Sequence, residues 1–217
     1  GVAGLTAAKE SAEAGYDVWL VEQAEALGGW LAKQHKSIPT RPPFTDLEET
    51  GIEELIRAVE EDERIHVYTS AHTQQILGAP GLFDVTLAST GNGKPQGETV
   101  DQFRVGSIIQ ATGWKPNDPR KNLPYGDLDD VVLNVDLESM MKETGKITRP
   151  SDGREVKSIA FLQCGGCTDK EHHSYCSSIC CTNTLKQAMY LREGGEDAKA
   201  FVFYEFMRTP GLMEDFL

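Results

Sequence analysis

Two hydrophobic periods run through this chain, and they mark out alternating helices and strands. Residues 4–14 (GLTAAKESAEA) are alanine-rich, helical in spacing and closed by Gly15, which predicts a helix. Asp17-Val18-Trp19-Leu20-Val21-Glu22 is a short apolar run ending in an acid, as a buried parallel strand would be. Gly28-Gly29 makes a turn, and Ile38-Pro39-Thr40-Arg41-Pro42-Pro43-Phe44 is a proline-rich loop. Leu47 to Glu61 has helical periodicity with many carboxylates and predicts an exposed amphipathic helix. Residues 66–69, 83–87 and 107–111 read as strands, and the polar, glycine-rich stretch from Ser89 to Gly97 as a hairpin tip. Further on, Lys157 to Gln163 is a strand, Asn183 to Glu193 a helix, and Ala200 to Tyr204 another strand. No internal repeat interrupts this alternation. It argues for an α/β fold with parallel sheet.

Gly113 to Asp130 holds three prolines among many polar residues, so a domain boundary is expected there. The expected organisation is one domain over 1–120 and a second over 121–217. At 217 residues, either can bury a core. The net charge is −13, which makes nucleic acid and anionic membrane surfaces poor partners for the whole chain. No apolar run approaches the roughly 18 residues of a membrane span, and no signal peptide is read. Cytoplasm is therefore the expected compartment.

Chemistry enters at two places. The first is the start, Gly1-Val2-Ala3-Gly4-Leu5-Thr6-Ala7-Ala8. It reads as the back half of a glycine-rich phosphate loop already entering a helix, so a fragment lacking its first strand is expected. Glycines there let backbone N–H groups approach a pyrophosphate, and the helix N-terminus adds positive potential. Gly1 and Gly4 would be the last two glycines of a G-x-G-x-x-G pattern. Glu22 lies at the end of the next strand, where an acid accepts hydrogen bonds from ribose hydroxyls. The competing reading is a tight turn with an incidental surface glutamate.

The second place is a window of eighteen residues that holds all five cysteines, Cys164, Cys167, Cys176, Cys180 and Cys181. The spacing is C-x2-C-x8-C-x3-C-C. Concentrated thiols without a secretory signal point to a metal or iron–sulfur site. If Tyr175 to Cys181 starts the helix that runs to Glu193, Cys176 and Cys180 face one side. Three other readings stay open: a zinc knuckle, a redox dithiol from Cys164 and Cys167, and structural free thiols. His172 and His173 read as exposed loop residues.

Glu22 followed by Leu27-Gly28-Gly29, and the segment Ile108-Ile109-Gln110-Ala111-Thr112-Gly113-Trp114, resemble flavoproteins with two dinucleotide-binding domains. That resemblance implies FAD rather than NAD, with Gly28, Gly29, Thr112 and Gly113 beside the cofactor and a backbone contact to adenine near Ala71. The pieces GVAGLTAAKESAEAGYDVWLVEQAEALGG, IIQATGW, FLQCGG, YCSSICCTNTLKQAMYLRE and FYEFMRTPG together resemble the A subunit of heterodisulfide reductase. They also resemble its relatives in quinone-interacting membrane-bound oxidoreductases. The match spans nearly the whole chain. The resemblance implies a [4Fe–4S] cluster on Cys164, Cys176, Cys180 and Cys181, with Cys167 as an extra residue. Lys36 to Phe44 lacks the further cluster cysteines usual in heterodisulfide reductase A subunits. Its Ile-Pro-Thr and Pro-Phe look nearer the B-type flavoprotein subunit of the quinone-interacting complex.

The expected fold is thus a Rossmann-like FAD-binding domain plus the start of a thioredoxin-reductase-like second domain carrying the cysteine cluster. In such second domains the strand here matched by Lys157–Gln163 leads into an NAD(P)H-binding glycine loop. In this chain it leads into Cys164-Gly165-Gly166-Cys167 instead, so direct reduction by NADH or NADPH is not expected. The implied function is an electron-transfer subunit of a multi-subunit oxidoreductase, passing electrons between FAD and a [4Fe–4S] cluster. Other oxidoreductase subunits are the expected partners, with peripheral placement at the inner face of the cytoplasmic membrane through them. The alternatives are an NAD(P)H-dependent disulfide reductase and a zinc-holding assembly subunit.

Overall fold

The computed structural model describes residues 1–118, 123–195 and 197–216. They form two compact units: Gly1–Ala32 with Gly51–Trp114, and Lys33–Thr50 with Lys115–Leu217. The expected boundary at 120/121 lies outside the described residues. Residues 33–50, expected with the first domain, pack within the second unit.

In the first unit, helix α1 (Val2–Glu13) buries Leu5, Ala8 and Ala12, a spacing that puts all three on one face. Strand β1 (Val18–Val21) pairs in parallel with β2 (Ile65–Tyr68), with Val18 opposite Ile65 and Val21 opposite Tyr68. Between them runs helix α2 (Ile52–Glu60). Its Ile52 and Val59 join Leu5, Ala8, Ala12, Leu27 and Ile65 in the core. This is the helix-on-parallel-strand layering of a nucleotide-binding fold. An antiparallel meander follows, β3 (Ala71–Ala79), β4 (Leu82–Ser89) and β5 (Thr99–Val105). Its Phe103 stacks on Trp19 of β1 with ring centroids 5.2 Å apart.

Two sequence expectations about the first half of the chain fail. The helix expected from Leu47 begins only at Ile52, because Gly51 is left-handed (φ 61°) and Glu48 pairs with Ser37 in an isolated bridge. Glu48 also takes both the N–H and the hydroxyl of Thr40. Residues 107–111 form no strand, and Ile108 and Ile109 are exposed. A strand needs a neighbour to complete its ladder, and among the described residues none pairs there.

In the second unit, β6 (Ser158–Leu162) pairs in parallel with β7 (Lys199–Phe203). Helices α3 (Asn134–Thr144) and α4 (Cys180–Glu193) supply Leu137, Met141, Tyr190 and Leu191 to a core with Phe161 and Ile147. Asp136 reaches back to the Leu133 N–H and caps α3; Gly145, left-handed at φ 68°, closes it.

A charged pair is buried inside this unit. The Lys186 side chain is 1% exposed and its ammonium lies 3.1 Å from Glu138 Oε1. It also donates to Gln34 Oε1 at 3.1 Å and to the Lys36 carbonyl at 2.8 Å. Gln187 bonds Glu138 and Asn134, and the Tyr190 hydroxyl donates to Glu138 Oε2. Burial pulls the Lys186 ammonium below its ordinary range, partly offset by Glu138, and pushes the Tyr190 phenol well up. Among the described residues no buried side-chain polar atom is left without a partner.

Candidate functional site

The residues predicted to hold a dinucleotide assemble in the first unit around the N-terminal end of α1. Gly1 is the helix cap, and its amino nitrogen lies 3.4 Å from Glu22 Oε2. Glu22 follows β1; its backbone bonds Tyr68 and Ala71, and its other carboxylate oxygen accepts the Ala24 N–H at 2.9 Å. The acid is therefore fixed beside the glycine turn.

Gly28 and Gly29 both have positive φ, 104° and 59°. A Cβ on Gly29 would stand 2.8 Å from Gly1 Cα, and one on Gly28 would stand 2.6 Å from the Ala32 Cβ. Such approaches exclude any larger residue. A Cβ on Gly4 would lie 3.5 Å from the Ala111 Cβ, so the segment 111–113 flanks the same helix end. Thr112 and Gly113 are exposed there, and Gly113 is left-handed at φ 67°. Ala71 is buried at the start of β3, and its backbone N–H donates to the Glu22 carbonyl at 3.1 Å. The neighbouring His72 side chain stands on that strand.

Two residues beside this site escaped the sequence reading. Trp30 and Trp114 each follow a site glycine, and their rings stack with centroids 5.4 Å apart and an interplanar angle of 16°. The Trp30 indole N–H donates to the Trp114 carbonyl at 3.0 Å. The available signal was their position, since two of the chain's three tryptophans each come straight after a glycine turn.

The cysteines gather in the second unit, where β6 runs out. Cys164 is left-handed at φ 60°, its carbonyl accepts the Cys167 N–H at 3.2 Å, and Thr168 and Ser178 are also left-handed. The loop between folds back through bonds from Thr168 N–H to Tyr175 O and from His173 N–H to Gly166 O. Thr168 then ties it to Glu205, beyond β7. Ser178, at φ 57°, breaks the helical path, so α4 begins at Cys180 and Cys176 stands outside it. The expected i, i+4 helical relation of Cys176 and Cys180 is therefore corrected. His172 is exposed and lies 3.9 Å from Asp169.

All five thiols are free. Burial raises the Cys167 thiol against a backbone N–H from Ser177, and the neighbouring sulfurs of Cys180, Cys176 and Cys164 raise it further. Burial likewise raises Cys181, opposed by the Arg208 N–H 3.4 Å from its sulfur. The Ser178 N–H points at the Cys176 sulfur at 3.4 Å. Five free sulfurs, two of them facing backbone N–H groups, suit a thiolate-bound metal or iron–sulfur centre in donor chemistry. Among the described residues no three His, Cys, Asp or Glu side chains are gathered closely enough to grip a single ion.

Fold and site together define a class, a chain with a Rossmann-like nucleotide-binding domain. Residues 1–44 match the NAD(P)-binding Rossmann-like domain. Over nearly all of its length the chain is a homologue of heterodisulfide reductase A subunits, as its motifs indicated. It is 26% identical to the second iron-sulfur A subunit of CoB–CoM heterodisulfide reductase from Methanopyrus kandleri, over 97% of this chain and 43% of that protein. It is 27% identical to the A subunit of the ferredoxin/F420H2-dependent CoB–CoM heterodisulfide reductase from Methanosarcina acetivorans, over 98% of this chain and 36% of that protein. The chain thus spans less than half the length of these curated relatives. The first alignment runs over 287 positions against 217 residues here, so the relative carries inserted residues within the matched span. Among solved structures, L-proline dehydrogenase from P. horikoshii superposes with a TM-score of 0.49 at 15% identity, over 97% of this chain and 35% of that one. Among the described residues no helix is long and apolar enough to cross a membrane.

Proposed function

We propose that this chain is an FAD- and [4Fe–4S]-binding electron-transfer subunit of a heterodisulfide-reductase-like or quinone-interacting oxidoreductase. The observation that carries the reading is the end of β6. Five free thiols stand where a second nucleotide-binding unit would place its phosphate loop. Bound, FAD would supply two-electron chemistry and the cluster one-electron chemistry.

The chain's own residues provide position and electrostatics. Gly1 and Gly4 would let the α1 backbone meet the pyrophosphate, and Glu22 would accept the ribose hydroxyls. Gly28, Gly29, Thr112 and Gly113 would bring backbone close to the cofactor, with the Ala71 backbone near adenine. Cys164, Cys176, Cys180 and Cys181 would hold the cluster. The backbone N–H groups of Ser178 and Arg208 point at the sulfurs of Cys176 and Cys181 and would help orient them toward the cluster. The two units, one with the glycine turns and the other with the cysteines, would divide the work between flavin and cluster. Partner subunits would supply and remove electrons, at the inner face of the cytoplasmic membrane.

The visible spectrum of anaerobically purified protein tests this. Flavin bands with a broad iron–sulfur shoulder are expected. Flavin alone would favour a disulfide reductase using Cys164 and Cys167, and a colourless zinc protein would favour the assembly role.

A further inference from the structure

We infer that Trp30 and Trp114 form an aromatic clasp that preorganises the dinucleotide site, a positioning role resting on the cofactor reading above. The two loops that flank the N-terminal end of α1 belong to no sheet and no helix at their tips. One brings Gly29 against Gly1, and the other brings Ala111 against Gly4. Each turns through a left-handed glycine, Gly29 or Gly113, immediately before its tryptophan. Glycines give these loops close approach at the cost of stiffness. The tryptophans restore it, with rings stacked at 5.4 Å and the Trp30 N–H bonded to the Trp114 carbonyl at 3.0 Å.

Ordinary core packing does not account for the pair. Trp114 is 43% exposed, and neither ring belongs to the buried cluster of Leu5, Ile52 and Val59. The third tryptophan, Trp19, is held instead by His66 and Phe103 on the strands. A ligand that needs both loops at once would have to order them on binding. The clasp lays that ordering cost on folding instead. The chemistry it serves is a pyrophosphate-bridged dinucleotide seated on the α1 N-terminus.

The test uses full-length protein titrated with FAD and reads the dissociation constant. Trp30→Phe keeps a ring but removes the N–H donor, and should weaken FAD binding about fivefold. Trp30→Ala loses the stack as well, and should weaken it about tenfold or more. Trp114→Ala should weaken it too, and Trp114→Phe, which retains a ring and the backbone acceptor, should recover most of that loss. Melting curves keep folding defects apart, with Trp30→Phe as the deciding variant should Trp30→Ala not melt cooperatively. Unchanged FAD affinity in both Trp30→Phe and Trp30→Ala overturns the clasp. Full-length wild type that binds no FAD overturns the cofactor reading and the clasp with it.

Discussion

Glu22 does the most specific work proposed for any single side chain. Its backbone is locked to Tyr68 and Ala71, and one carboxylate oxygen is committed to the Ala24 N–H. The other oxygen faces the glycine turn. Replacing Glu22 by Ala should remove charge-assisted hydrogen bonds worth about 1.5–3 kcal/mol. FAD affinity should therefore fall by about one to two orders of magnitude, measured by equilibrium titration of full-length protein; equal affinity would refute the ribose assignment. This residue was legible in the sequence because an acid ending an apolar strand is a local pattern. Trp30 and Trp114 were not, since their stacking joins positions 84 residues apart.

At the scale of elements, polar pairs decide how helices and strands are held. Lys186 on α4 and Glu138 on α3 form a buried ion pair, and breaking one side strands the other charge. Lys186→Met alone should cost about 3–5 kcal/mol of stability, whereas Lys186→Met with Glu138→Leu should recover most of it. Urea unfolding of the two variants would check this, and equal losses would show that the pair is not coupled. Between β2 and β5 the Tyr68 hydroxyl donates to Asp101. That bond, then the Gln102 N–H, holds the Asp101 carboxyl below its usual range, and the same bond holds the Tyr68 phenol above its own. A lowered carboxylate contributes stability above about pH 4 and loses it as pH falls through its folded value. A raised phenol contributes below about pH 10 and loses it as pH rises through its folded value. Tyr68→Phe should therefore lower the melting midpoint most between about pH 5 and 9. The difference should narrow at both extremes, and a pH-independent difference would contradict it.

At the scale of the whole molecule, the two units separate the proposed cofactors. The glycine turns and Glu22 lie in one unit, and all five cysteines lie in the other. Single Ser replacements of Cys164, Cys176, Cys180 and Cys181 should each abolish most bound iron and the low-temperature EPR signal, while Cys167→Ser should retain both. Cys167 shares the loop with Cys164, its N–H bonded to the Cys164 carbonyl at 3.2 Å, which makes this a stringent test. Loss in Cys167→Ser with retention in Cys164→Ser would reassign the ligands.

Short-range pattern was sufficient for α1, β1, α2's apolar face, β6 and the body of α4, because helical and strand periodicity is written in neighbouring residues. The clustering of thiols was equally plain. Tertiary structure alone decided the rest. Strands β3 and β5 carry many polar residues, such as Gln75 and Gln102, and exist only through pairing with β4. Residues 107–111 are apolar enough for a strand, but among the described residues they have no neighbour to bond. Cys176 left the helix because Ser178 turns left-handed. Lys186, a residue whose charge predicts solvent, is buried because Glu138, Gln34 and the Lys36 carbonyl, up to 152 residues away, converge on it. Desolvating a charge is tolerated only where such partners meet, and their meeting is a property of the fold that no local window of sequence contains.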